Sequence, residues 1–115
     1  METTLKSEHR RLLRYSRLGS LSYLYLYDND GVAYRDLKAA LGLSDSQLGP
    51  QLLWLRKGRY VKVRDEKLDS VGLAVYYITE EGRQAYEEIL SWMAAIPLEM
   101  QVAAVRGNSD KKVVD

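Results

Sequence analysis

"GLSDSQLGPQLLWLRKGRYV", Gly42 to Val61, holds a helix with a clear start, a clear stop and an anomaly between them. Ser44 is a strong N-cap. Gln47, three residues on, completes a capping box, in which two side chains satisfy backbone N–H groups that the first turn leaves open. Leu43 and Leu48 can close around that box as a hydrophobic staple. The helix is expected to run to about Lys57, with Gly58 stopping it, and to point Leu48, Leu52 and Leu55 inward from one face. At about 100° per residue, the outward positions are then Ser46, Pro50, Leu53 and Lys57, flanked by Gln47 and Trp54. Pro50 is the anomaly. It has no N–H for the Ser46 carbonyl, and a proline inside a helix costs about 3 kcal/mol. Gly49 before it relieves part of the clash with the ring. Two readings stay open: a bent helix that tolerates close approach, or a regular helix that begins only at Pro50 with Gly49 at its cap.

The flanking sequence supplies the other elements. Leu18, Leu21 and Leu24 recur at helical spacing, which predicts a helix over 12–27, although "SYLYLYD" also alternates as a strand would. "DNDG" ends it as a turn, and "GVAY" is one extended stub. Tyr34 to Leu41 forms a short helix, with Gly42 suited to its C′ position. Beyond Gly58, "YVKVRD" and "LAVYYI" read as two strands of an antiparallel hairpin, with the polar "EKLDSVG" as a loose tip. Thr79 caps a further helix that reaches about Ile96, with Glu80 and Glu81 in the first turn where the helix dipole favours anions. Pro97 ends that helix or begins a short one, and the last residues read as a frayed tail. Two helices joined by a tight turn and followed by a hairpin are the parts of a helix-turn-helix with a wing. The expected fold is therefore α+β and mainly helical: a winged helix-turn-helix over residues 1–96 with extra terminal helices, then a short helix and tail over 97–115.

Composition narrows the function. The chain has 115 residues, enough for one core, and no internal repeat. It has no cysteine, which excludes disulfides and thiolate metal sites and suits a reducing compartment. The charged N-terminus has no apolar run of signal-peptide length, and no stretch approaches a membrane span, so a cytoplasmic location is expected. His9 is the single histidine and sits near a terminus expected to be mobile, so no catalytic triad or metal set is expected. Carboxylate pairs such as Glu80–Glu81 and Glu87–Glu88 read as solvated helix faces, and "GLSDSQLG" follows a helix rather than the strand a phosphate loop needs. An enzyme is not expected, nor a cofactor. Nine tyrosines without a phenylalanine read as amphipathic residues at the core's rim, and their spacing identifies no effector.

Net charge is +1, but its distribution is uneven. Residues 1–67 carry 13 Lys/Arg against 8 Asp/Glu, and residues 68–115 carry 4 against 8, so the two parts stand at +5 and −4. Either this is ordinary surface variation, or the first part meets a polyanion. Lys57, Arg59, Lys62, Arg64 and Lys67 cluster after the outward helix face, where they suit phosphates. Gln47 and Gln51 suit base edges, Ser46 more weakly, and Trp54 suits the groove wall or the wing.

"LGLSDSQL", "GRYVKV" after the helix and "YYITEEGRQAY" after the hairpin resemble the winged-helix regulators of the MarR/ArsR/PadR type, over about Arg17 to Leu90. That resemblance implies a transcriptional regulator that binds double-stranded DNA as a homodimer, with the Ser44–Lys57 helix in the major groove and the wing on the backbone. The outward helix face in the resembled family is typically polar and basic, whereas Pro50, Leu53 and Trp54 stand there in this chain. The alternative is a winged-helix module that docks another protein through those three residues. Terminal helices would form the dimer. Tyr86, Ile89, Leu90, Trp92, Met93 and Ile96 cover more than one stripe of their helix, and the arginines of "HRRLLRYSRL" reach either that interface or phosphate.

Overall fold

The computed structural model describes residues 4–68 and 71–97, with the side chains of Lys67, Leu68 and Val71 left aside. The expected C-terminal helix after Pro97 and the tail lie outside the described residues. The order is α1 (Ser7–Arg10), α2 (Tyr15–Tyr27), a 3-10 turn (Asp28–Asp30), β1 (Val32–Ala33), α3 (Tyr34–Leu41), α4 (Asp45–Lys57), β2 (Val61–Leu68), β3 (Val71–Ile78) and α5 (Glu80–Ala94). The three strands form an antiparallel sheet in the order β1-β3-β2. The winged helix expected from the sequence is the fold observed.

The inward leucines are as expected: Leu48, Leu52 and Leu55 are each 0 % exposed. They meet Leu21 and Leu24 of α2, Leu37 of α3, and Ala85 and Ile89 of α5 in one core. The Ser44 capping box is complete. α4 runs unbroken from Asp45 through Pro50, so the reading in which it begins at Pro50 is set aside. Thr79 caps α5 as expected, its Oγ1 accepting from the Gly82 N–H.

Two expectations need correction. First, the N-terminal segment is not loose. Leu5, Leu12 and Leu13 are buried, and Glu88 of α5 accepts from the Lys6 N–H while sitting 2.7 Å from His9 Nδ1. His9 thus has a carboxylate partner. Burial of the adjacent Leu12 and Leu13 suits a turn better than a helix, whose neighbours diverge by about 100°, and α2 starts only at Tyr15. Second, the strands extend through most of the expected tip, with Glu66 opposite Leu73 and Lys67 opposite Gly72. Glu66 does not interrupt the pairing, since its side chain is exposed and its carboxylate accepts from the Tyr77 hydroxyl.

As expected, α4 ends at Lys57 and Gly58 caps it, but the left-handed residue of the turn is the next one. Gly58 has φ −81°, whereas Arg59 has φ 67°. The Tyr60 N–H reaches the Leu55 carbonyl and the Arg59 N–H reaches that of Arg56, the two bonds of a Schellman ending. Arginine thus occupies the position that usually takes glycine.

Candidate nucleic-acid interface

α4 is presented by what lies beneath it. At its N-terminus, Ser44 Oγ accepts from the Gln47 N–H at 3.2 Å, and Gln47 Oε1 accepts from the Ser44 N–H at 2.8 Å. Asp45 ties this turn to α3. It accepts from the Tyr34 hydroxyl at 2.6 Å and lies 3.1 Å from Lys38 Nζ. The Tyr34 hydrogen bond, then Lys38, holds the Asp45 carboxyl below its usual range, and the same bond pushes the Tyr34 hydroxyl up to about 12.

The outward face is the one expected. Ser46, Gln47, Pro50 and Lys57 are exposed, and Leu53 is 46 % exposed. Gln51 and Trp54 sit deeper, on the side of α4 facing α2. Arg17 of α2 is the reason. Its guanidinium lies 3.7 Å from the centroid of the Trp54 ring. Its Nε donates to Gln51 Oε1 at 2.7 Å and its Nη1 to the Arg11 carbonyl at 2.8 Å. Trp54 also stacks on Tyr60, with centroids 6.1 Å apart. With one ring face under Arg17 and a stack on Tyr60, Trp54 is half-buried, and its remaining surface borders a groove.

Arg17 was missing from the residues expected at this face, and so was the company it keeps. It is 9 % exposed, and burial, with Arg14 and then Arg11 close by, pushes its pKa down. Arg14 borders a groove with Gln47 and Gln51, and Arg11 borders another with Trp54 and Lys57. The signal was available: arginines at 11, 14 and 17 repeat every three residues.

The hairpin carries the second set of cations. Lys62 and Arg64 are exposed and share a face of β2, since alternate strand residues point the same way. Arg64 stands 5.0 Å over the ring of Tyr77, whose hydroxyl hydrogen-bonds Glu66. That bond pushes the Tyr77 hydroxyl pKa up. Lys67 pairs with Gly72, three residues beyond Arg64 in β2. Arg59 is exposed at the hairpin root. There Thr79 Oγ1 lies 2.6 Å from the Arg59 carbonyl and 3.0 Å from that of Tyr60.

The residues expected at a dimer interface divide. Ile89 is 0 % exposed inside its own subunit, a correction to its expected role. Tyr86 packs on Tyr25 at 4.8 Å and bonds the Ser22 hydroxyl, so most of it is used internally. Leu90 is 43 % exposed, and Trp92, Met93 and Ile96 are half-buried. Leu26 of α2, not expected there, is 70 % exposed.

Among the described residues no cluster of His, Cys, Asp or Glu could hold a metal ion, and no helix is long and apolar enough to cross a membrane.

A family model described as a winged helix DNA-binding domain matches residues 17–96. Among solved structures, the S. aureus MepR–DNA complex is similar at 22 % identity and a TM-score of 0.62, over 76 % of this chain and 70 % of that one. A mutant MepR from a multidrug-resistant S. aureus clinical isolate is similar at 22 % identity and a TM-score of 0.58, over 83 % and 66 %. At that identity the likeness is one of fold. Among curated proteins, none matches the chain.

Proposed function

We propose that this chain, which belongs to the winged helix DNA-binding domain family, is a cytoplasmic transcriptional regulator that binds double-stranded DNA as a homodimer. α4 enters the major groove, Lys57 and Arg59 hold the backbone beside it, and Lys62 and Arg64 hold it along the hairpin. Lys67 is assigned to the same set from its place in β2. The observation that carries this reading is the pairing of a solvent-facing α4 with cations on both flanks: Arg11 and Arg14 on one side, the hairpin on the other. Phosphates supply affinity through such groups, and base edges supply specificity. Leu53 and Pro50 suit contact with thymine methyls. Partial covering of Trp54 by Arg17 and Tyr60 counts against the docking alternative, because it shrinks the apolar patch around Pro50 and Leu53. The second subunit would cover Leu90 and Leu26 together with Trp92, Met93 and Ile96. No chemical step is assigned to the protein.

A salt titration of binding to random-sequence duplex tests the proposal. Affinity should fall steeply with salt, and Lys62→Ala and Arg64→Ala, each removing two phosphate contacts from a homodimer, should each flatten the log–log slope by about 1.8. Absence of binding at low salt, with Leu53→Ser changing the oligomer size, would instead support protein docking.

A further inference from the structure

We infer that Gln47 and Gln51 are locked as hydrogen-bond donors toward the groove, so that the protein selects base edges rich in acceptors, guanine above all. The inference rests on the duplex-binding reading above. A glutamine amide has an acceptor at one end, Oε1, and two donors at the other, Nε2. Its familiar pairing with adenine uses both ends: Oε1 accepts from N6 while Nε2 donates to N7. In both glutamines one of the two Oε1 lone pairs is already taken, which holds the oxygen toward the protein. Gln47 Oε1 accepts from the Ser44 N–H, and Gln51 Oε1 accepts from Arg17 Nε.

Both partners can only donate, so chemistry fixes which end of each amide faces them. The two ends of an amide point apart, so Nε2 of each glutamine points away from the group that holds Oε1. Among the described residues neither Nε2 has a hydrogen-bond partner. Guanine offers O6 and N7, both acceptors, on its major-groove edge, and adenine offers one acceptor beside a donor. Outward N–H groups therefore gain most from guanine. At Gln51 the lock comes from another helix. Arg17 is held in turn by the Arg11 carbonyl and the Trp54 ring, so it acts as a positioning residue and touches no base itself.

The test uses the full chain and a duplex selected from a random-sequence pool. Guanines in the selected site are replaced one at a time by 7-deazaguanine, which lacks N7, and adenines by purine riboside, which lacks the N6 amino group. Removing N7 at a contacted guanine should weaken binding about tenfold, a loss of about 1.4 kcal/mol. Removing N6 should change it less than twofold. Gln51→Glu keeps an oxygen for Arg17 but turns an acceptor outward, so preference at that position should move from guanine to cytosine, whose N4 donates. Gln47→Glu makes the same test at the other position, and the base replacements need no variant to fold.

A tenfold loss on removing N6 would overturn the inference. So would a Gln51→Glu protein that binds with its base preference unchanged. Failure of the unmodified chain to bind any duplex at low salt would instead overturn the DNA-binding reading itself.

Discussion

Replacing Gly82 by alanine sets two forces against each other, and the structure says which wins. Gly82 lies in the first turn of α5, where alanine is the better helix former by up to about 1 kcal/mol. A Cβ at that position would stand 2.1 Å from the Tyr60 carbonyl oxygen and 2.9 Å from Ile78 Cγ1. Carbon and oxygen rest at about 3.3 Å, so the backbone must move by more than an ångström. The Tyr60 carbonyl is not free to move, because it accepts from the Thr79 N–H at 3.1 Å and from Thr79 Oγ1 at 3.0 Å. Giving up both bonds costs about 1–3 kcal/mol, and overpacking adds about 1–3 kcal/mol. Net of the propensity gain, Gly82→Ala should lose near 3 kcal/mol, which lowers Tm by roughly 12–24 °C for a domain of this size. Thermal unfolding followed by far-UV circular dichroism reads this directly. An unchanged or raised Tm would mean that helix propensity dominates and that α5 does not press on the hairpin root as described.

Arg59→Gly should move stability and binding in opposite directions. Relief of the left-handed strain, about 1–2 kcal/mol for a side chain, less the added freedom of the unfolded chain, should raise stability by up to about 1 kcal/mol. The two cations lost from a homodimer should meanwhile flatten the salt slope of duplex binding by about 1.8, and loss of both stability and binding would contradict this. Asp45→Asn tests the link between α3 and α4. Because the folded carboxyl titrates below its unfolded value of about 3.9, its contribution is present above that pH and lost as pH falls through the folded value. Denaturant midpoints should favour the parent protein at pH 7 and converge with the variant's below about pH 4.

Much of this fold was legible in the sequence because its punctuation is local. Ser44 with Gln47, Gly42 after Leu41, and Thr79 before two glutamates each satisfy backbone groups within a few residues. The inward leucines follow from helical spacing alone. The misreadings came from distance or from a neighbour's demand. Nothing local shows that Arg17 would lie across Gln51 and Trp54, which are more than 30 positions later in the chain. The left-handed conformation of Arg59 had no signal in the sequence, because glycine is the usual left-handed residue and one stands just before it. Here a Cβ at position 58 would stand 2.8 Å from the Tyr60 ring, so glycine makes room and arginine takes the strained turn. Assigning Ile89 to an interface overcounted the surplus apolar surface of α5, since the domain itself takes that side chain.

Thr79 gives the hairpin a short fulcrum. It ends β3, caps α5 and holds the carbonyls of Arg59 and Tyr60 where β2 begins, all within one residue. Eight-residue strands rising about 3.3 Å per residue make an arm roughly 26 Å long. A tilt of about 5° at the pivot then carries the far end about 2 Å, which is enough to make or break a contact with a phosphate. The reach of the wing is thus geared to the pose of the long helix behind it.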